Sequence, residues 1–373
     1  MNGQPTNVPD DAACDPGEAC DPTAGPTGCV AFDACPPALD ALDGGSVDGD
    51  TSSAVNDFAP SCANGAGMHP DLAYTLTLAA DSDVLLEVDP AGNQAVSVML
   101  LPVDANACGA ELLCAAPPSG NATLEVKNLA AGTYAIVVDG TGAATQSGAF
   151  TLTVLTQAST IGAGDLVINE IMADGGPGSG INSTGEWVEI ANPGAIAIAT
   201  AGLVLGDGTA TTSAVKPAVG PQFIVPPGGY LLGMNSLTPA SNGGIANGDF
   251  KIAFSVNNNA GDVFRLAKGA QNVIDVVDTT MANPNGSFPA IGADGVSLQL
   301  DVAKKSATLN DNKVNWCNTP TAMFGNVGAK GTPRTQNQAC SAPACTVATQ
   351  AVDCNDNNPL TQDLCIAGTC QHI

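Results

Sequence analysis

The densest run of ligand-type side chains lies near the C-terminus. Asp353, Asn355, Asn357, Thr361 and Asp363 place oxygen atoms at alternate positions of one short loop punctuated by Pro359. Hard cations are held by ~6–8 oxygens, and a curled loop with alternating donors converges several of them. The loop lacks the sixth-position glycine and twelfth-position glutamate of an EF-hand, so it predicts a calcium site of another kind. The alternative is a solvated turn clamped by Cys354 and Cys365. Asp48, Asp50 and Asp57 form a second, sparser acidic loop with the same potential chemistry.

Catalytic chemistry finds little to work with. Glu186 and Glu189 could suggest the paired carboxylates of a glycosidase. Positions three apart on one strand face opposite sides, however, so these two do not converge. Glu170, on the preceding apolar run, is the acid that could meet one of them. His69 sits in a Gly/Pro-rich stretch and reads as a surface-loop residue, and His372 is next to the last residue. No H-E-x-x-H, phosphate-binding loop or G-x-S-x-G motif occurs. Trp187 reads as a packing or strand-edge residue before it reads as a sugar platform.

Ten basic residues against 36 acidic ones give a formal charge of −26, and Lys127 is the only basic residue before Ile161. Nucleic-acid binding requires Lys and Arg to neutralise phosphates, and an anionic membrane would repel this surface. Neither is an expected partner. Thirteen cysteines beside turn residues indicate an oxidising, extracellular or cell-surface location. The odd total leaves at least one thiol without an internal partner. No apolar run reaches the ~20 residues of a membrane helix. The polar start Met1-Asn-Gly-Gln-Pro-Thr carries no export signal, so the reading is a fragment or a mature form from which the signal was removed.

The elements that must position these residues are strands. With 43 Gly and 26 Pro, nearly every window is interrupted before a helical period is established. Short apolar runs between turn residues predict an all-β chain. Cys14, Cys20, Cys29 and Cys35, spaced for two small disulfide loops or a zinc site, sit in an acidic segment over 1–37. Strand candidates follow at Leu72–Ala79, Val84–Val88, Val96–Val103, Thr123–Val126, Tyr134–Val138 and Phe150–Leu155. A linker over 158–165 precedes Leu166–Ile171 and Glu186–Ile190, which flank a Gly/Pro/Ser-rich loop. Further runs are Leu203–Leu205, Gln222–Val225, Tyr230–Met234, Phe250–Val256, Gly261–Leu266, Asn272–Val277 and Val296–Leu300.

Three resemblances follow from these motifs. The INEI run at Ile168–Ile171, GEWVEIANPG at Gly185–Gly194 and the Asn310–Pro333 ending resemble the bacterial lamin-tail domain, which implies an immunoglobulin-like sandwich over 166–338. Asn56-Asp57-Phe58, DLAYTLTL at Asp71–Leu78, LAAGTYAIVVDG at Leu129–Gly140 and SGAFTLTV at Ser147–Val154 resemble the bacterial pre-peptidase C-terminal domain. That implies a jelly-roll-like sandwich over 38–157. The segment 339–373 resembles short cysteine-rich repeats of bacterial surface proteins, with Leu360 where that family places a cysteine. Relatives of the first sandwich often carry a disulfide near Cys108 and Cys114, so these two are expected to pair. Cys317 and Cys340, flanking the end of the second, are expected to pair as well.

These families imply a non-catalytic exported bacterial protein acting in adhesion or scaffolding, with a protein or polysaccharide of the cell surface or matrix as partner. The alternative is an accessory, substrate-binding component of a secreted hydrolase or nuclease system.

Overall fold

The computed structural model describes residues 18–20, 29–31, 35–37, 39–41, 44–63, 69–104, 107–142, 144–175, 184–208, 211–257, 260–269, 271–280, 288, 295–325, 328–340, 347, 350, 354, 360–366 and 369–373. The chain forms two compact units, Met1–Thr160 and Ile161–Ile373. As the composition predicts, it is all-β, with three-residue 3₁₀ turns at Thr51–Ser53, Val302–Lys304 and Lys313–Asn315. Asp50, Asp301 and Asn312 cap these turns by accepting a backbone N–H two residues on. No helix among the described residues is long and apolar enough to cross a membrane.

In the first unit, four strands run side by side in the order Ala122–Leu129, Ser82–Pro90, Ala149–Ala158 and Gly45–Asp50. The second sheet runs Leu39–Asp40, Leu72–Leu78, Gly132–Gly140 and Val96–Asp104, with Ala107–Cys108 and Leu113–Ala115 both on its last edge. Side chains alternate as a half-buried strand requires: Leu124 and Val126 are buried, Thr123 and Glu125 exposed. Gly45–Asp50 is a finding the sequence reading missed. Its Gly/Asp composition reads as an acidic loop, yet it pairs in register with Ala149–Val154, and Asp48 accepts the Thr151 hydroxyl at 2.8 Å. Backbone pairing thus spreads Asp48 and Asp50 along an edge instead of curling them around a cation.

The cysteines of this unit also pair differently from the expectation. Cys108 stands opposite Val103 and Cys114 opposite Met99 on the same edge strand. Four positions along a strand span about 13 Å, well past the ~7 Å Cα limit for a disulfide, so Cys108 and Cys114 cannot join. Instead Cys108 binds Cys35 and Cys114 binds Cys62, with Cα separations of 5.7 and 5.8 Å. Cys35 therefore leaves the local loops expected of the first four cysteines, and Cys62 has a partner 52 residues away. Among the others, Cys20 and Cys29 are register partners of a short hairpin, and Cys14 lies outside the described residues. The two bridges tie the segment before Leu72 over the outer face of the second sheet. There Phe58, Cys108 and Cys114 pack on Ala73, Met99, Leu101, Ala135 and Val137.

The second unit pairs a six-stranded sheet with a four-stranded one. The larger runs Phe250–Lys251, Tyr230–Met234, Trp187–Ala191, Val167–Met172, Leu298–Leu300 and Trp316–Asn318. The smaller runs Thr212–Ala214, Leu203–Gly206, Val263–Lys268 and Asn272–Asp278. Their main core includes Ile168, Ile171, Val188, Ile190, Leu205, Phe264, Leu266, Ile274 and Leu298, all essentially inaccessible. A smaller cluster gathers Met172, Trp187, Leu232, Met234, Ile245 and Ala329, with Phe324 edge-on to Trp187 at 5.8 Å. The run Phe250–Val256 is strand only as far as Lys251; the Ile252 N–H still reaches the Met234 carbonyl, and beyond it N–H groups turn to side chains. Ala253 donates to the Ser213 hydroxyl and Val256 to Glu186. A hairpin of Asp363–Ile366 and Thr369–His372 closes the chain, with Cys354 bonded to Cys370.

Candidate functional site

The acids singled out in the sequence meet inside the second unit. Val167–Met172 and Trp187–Ala191 pair antiparallel with a bulge between Ile168 and Glu170, which brings Glu170 directly opposite Glu189. Both are fully buried. Glu170 accepts from the Thr332 N–H at 2.9 Å, the Thr332 hydroxyl at 2.7 Å, the Thr319 hydroxyl and the Ser297 hydroxyl. Among the described residues, Glu189 accepts from Asn169 Nδ2 at 2.7 Å and the Arg334 N–H at 2.5 Å. Asn337 locks the group, its amide donating to the carbonyls of Asn169 and Leu300 while its oxygen receives Asn169 Nδ2.

Burial raises both carboxyls above their ordinary range, Glu189 further because the Glu170 charge faces it. Donors stabilise an anion, and Glu170 has the fuller set, so the proton of the pair resides on Glu189. Two facing carboxyls sharing a proton could in principle move it to a substrate. Here neither oxygen pair reaches solvent, and the surrounding groups already occupy them, so the arrangement holds strands together. Glu186 points away from both, as the strand parity required. It takes Asn235 Nδ2 at 2.5 Å and the Val256 N–H at 2.9 Å, and burial lifts its carboxyl to about 7.

The burial of Asp275 was not anticipated. Asp275 accepts from the Ile168 N–H at 2.6 Å and Asn310 Nδ2 at 2.7 Å, and burial raises it to about 7. Its N–H partner is freed by the bulge at Ile168, so the carboxylate replaces a missing strand. The available signal was its place in the apolar run VIDVV, where a lone acid demands buried partners.

In the first unit, Asp139 belongs to the same class, an acid ending the apolar run AIVV. Continuing the register of Gly132–Gly140 with Leu72–Leu78 puts Asp139 opposite Asp71, and its other neighbour is Ser97. Asp71 accepts the N–H groups of Asp57 and Phe58, both at 3.0 Å. Asp139 is 1% exposed, and among the described residues the Gly140 N–H is the backbone group placed to stabilise its carboxylate. Burial and the Asp71 charge raise its carboxyl to about 8. His69, expected on the surface, is fully buried and accepts the Gln146 N–H on Nδ1 at 3.0 Å. A nearby cavity lined by Thr51, Gln94, Asp139, Gln146 and Phe150 holds about 10 Å³, room for about one water and far below the ~300–1,000 Å³ of small-molecule sites.

Of the expected calcium ligands, Asp353, Asn355 and Asn357 lie outside the described residues. Thr361 and Asp363 are half-buried, and Asp363 begins the final hairpin opposite His372. Among the described residues, no three or more His, Cys, Asp or Glu side chains are grouped as metal ligands. Cys317 and Cys340 are bonded, with a Cα separation of 5.8 Å. Trp187 is fully buried, so it packs and offers no platform.

Residues 159–280 match the family model of the Lamin Tail Domain. The domain read from Ile168–Ile171 and Gly185–Gly194 is thus present in this part of the chain. No curated protein matches the chain in sequence. Among solved structures it is similar to the pre-peptidase C-terminal domain of a collagenase from Bacillus anthracis. The identity is 13% and the TM-score 0.23, covering 33% of this chain and 99% of that one. A DUF4876 family protein from Bacteroides thetaiotaomicron is similar at 11% identity and TM-score 0.26, covering 57% and 83%. A GH2 beta-galacturonidase from Eisenbergiella tayi is similar at 8% and TM-score 0.18, covering 62% and 43%.

Proposed function

We propose that this chain is a non-catalytic, exported bacterial protein that acts through its β-sandwich surfaces in adhesion or scaffolding, against a protein or polysaccharide of the cell surface or matrix. The observation that carries the reading is the fate of its strongest acid pair. Glu170 and Glu189 are sealed from solvent and held by Ser297, Thr319, Thr332, Asn169 and Arg334. Carboxyls so committed support strands and leave recognition to the outer faces. Disulfides such as Cys35–Cys108 and Cys62–Cys114 support an oxidising location. Calcium at Asp353, Asn355, Asn357, Thr361 and Asp363 is part of the same proposal, as a stabiliser of the C-terminal module.

The test uses the intact chain. Fluorescently labelled protein is expected to bind bacterial surfaces or purified exopolysaccharide saturably. It is also expected to show no turnover of peptide, glycoside, ester or phosphodiester substrates. Hydrolysis that disappears in Glu189→Gln would overturn the non-catalytic reading. Absence of surface or matrix binding, with binding instead to a hydrolase substrate, would favour an accessory role beside a secreted enzyme.

A further inference from the structure

One face of the larger sheet in the second unit carries polar side chains as deeply buried as the apolar core. Glu170 stands opposite Gln299, and Gln299 stands opposite Cys317 on the edge strand Trp316–Asn318. One step further, the Thr319 N–H donates to the Ser297 carbonyl and continues the same pairing. Residues two apart on a strand share a face, so Glu170, Ser297, Gln299 and Thr319 lie on one side of the sheet. Exposure is 0% for the first three and 2% for Thr319. A hydroxyl, a carboxamide and a carboxylate thus meet where water is excluded.

The Thr319 hydroxyl touches three groups at once. Its oxygen lies 3.1 Å from Gln299 Oε1, 2.6 Å from the Ser297 hydroxyl and 3.3 Å from Glu170 Oε1. Ser297 in turn donates to that same Glu170 oxygen. A proton can therefore pass from Thr319 to Glu170 directly or through Ser297. Glu170 is the ionised member of its pair, and burial makes it a stronger base than an exposed carboxylate. The backbone of Gln338 holds the Gln299 carboxamide at both ends. Gln299 Nε2 donates to the Gln338 carbonyl at 2.8 Å, and Gln299 Oε1 accepts the Gln338 N–H at 3.4 Å. An N–H aimed at an amide oxygen stabilises the charge that builds there on nucleophilic attack. Nucleophile, base, oriented acyl group and oxyanion donor are the parts of an acyl-transfer site.

We propose that the Thr319 hydroxyl and the Gln299 side chain condense into an intramolecular ester, with Glu170 as the base. Thr319 Oγ1 attacks Gln299 Cδ and gives its proton to Glu170. The tetrahedral intermediate collapses by breaking the Cδ–Nε2 bond, and the nitrogen takes the proton back from Glu170 and leaves as ammonia. One C–O bond forms, one C–N bond breaks, and nothing is oxidised or reduced. Loss of ammonia to solvent drives the step, and exclusion of water shields the ester from hydrolysis. The reaction occurs once per chain and consumes no outside substrate, so it is independent of what the outer faces bind. Its product ties the end of the edge strand Trp316–Asn318 to Leu298–Leu300 by a bond that reductants leave intact, beside the reducible Cys317–Cys340 bridge.

The experiment is mass spectrometry of the full chain, folded, then reduced and digested with trypsin. Residues 269–304 and 314–330, bounded by the lysines at which trypsin cuts, are expected to stay joined after reduction, lighter than the two separate peptides by one ammonia. Alkaline hydroxylamine should separate them, as it cleaves esters and spares amides. Thr319→Ser should still cross-link and Thr319→Val should not. Glu170→Gln should leave the peptides separate while the Cys317–Cys340 bridge still forms, which reports that the strands have paired. The wild-type result alone decides whether the bond exists. Both peptides recovered separate and at full mass from folded wild-type protein would overturn the proposal and leave a cluster of buried hydrogen bonds. A link that persists in Thr319→Val or in Glu170→Gln would overturn the assigned nucleophile or base.

Discussion

Glu170 and Glu189 face each other across two neighbouring strands, both without solvent contact, yet their hydrogen-bond sets are unequal. Glu170 collects donors from Ser297, Thr319 and Thr332, three residues far along the chain, while Glu189 has Asn169 and the Arg334 N–H. The pair is therefore a knot between the opening strands of the lamin-tail domain and the segment from Ser297 to Arg334.

The inequality predicts opposite results for two isosteric changes. Glu189→Gln replaces a protonated carboxyl by an amide and removes the repulsion, so stability at pH 7 should be unchanged or slightly higher. Glu170→Gln turns an amide N–H₂ toward donors and should cost about 1.5–3 kcal/mol, the range for hydrogen bonds to a charged group. Urea unfolding of both variants checks this, and equal losses would show that the charge sits equally on both.

Asp275 and Glu186 predict an unusual pH dependence. Their carboxyls ordinarily titrate near 4 when unfolded, and burial lifts both to about 7 in the fold. The folded state therefore binds more protons between those values. The stabilisation is complete below about pH 4 and is lost as pH rises through about 7, at up to ~1.4 kcal/mol per pH unit per group. Melting of the second unit should fall from pH 5 to pH 7.5, and Asp275→Asn should flatten the slope. A melting temperature that rises over this interval would contradict the burial argument.

Disulfide topology is directly measurable. Non-reducing peptide mapping should link Cys35 with Cys108, Cys62 with Cys114, Cys317 with Cys340 and Cys354 with Cys370. Opening the 52-residue separation of Cys62 and Cys114 by a double serine change should cost about 2–4 kcal/mol. A peptide joining Cys108 to Cys114 would refute the edge-strand register.

Two glycines separate backbone strain from crowding. Gly261 and Gly228 both sit in the left-handed region, at φ +71° and +69°. A Cβ at Gly261 would lie 2.3 Å from the Thr279 carbonyl oxygen, whereas at Gly228 it meets nothing within 4 Å. Gly228→Ala should cost ~1–2 kcal/mol from conformation alone. Gly261→Ala adds a clash worth a further ~1–3 kcal/mol. Comparable losses would mean that the turn at Gly261 shifts freely.

Most of the strands were legible because period-2 patterns survive in the sequence. Tyr230–Met234 is observed with the expected bounds, and the runs at Val84, Tyr134 and Phe150 are extended by a few residues at their ends. That Glu170 could meet one of Glu186 and Glu189 was legible from the two neighbouring runs, but that it meets Glu189 with both fully buried was not. Gly45–Asp50 was not, since an edge strand stabilised by backbone pairing needs no apolar residue.

What the sequence determined by itself was local: alternation sets which side chains turn inward, and turn residues set where strands end. Those choices depend on neighbours a few residues away. Tertiary structure alone decided which distant groups meet. Cys108 pairs with Cys35, 73 residues off, because strand register holds Cys114 out of reach. His69 is buried because Gln146, 77 residues on, donates to its ring. Asp139 faces Asp71 because two strands align, and an acid's partners across a sheet follow from register, which no short window of sequence contains.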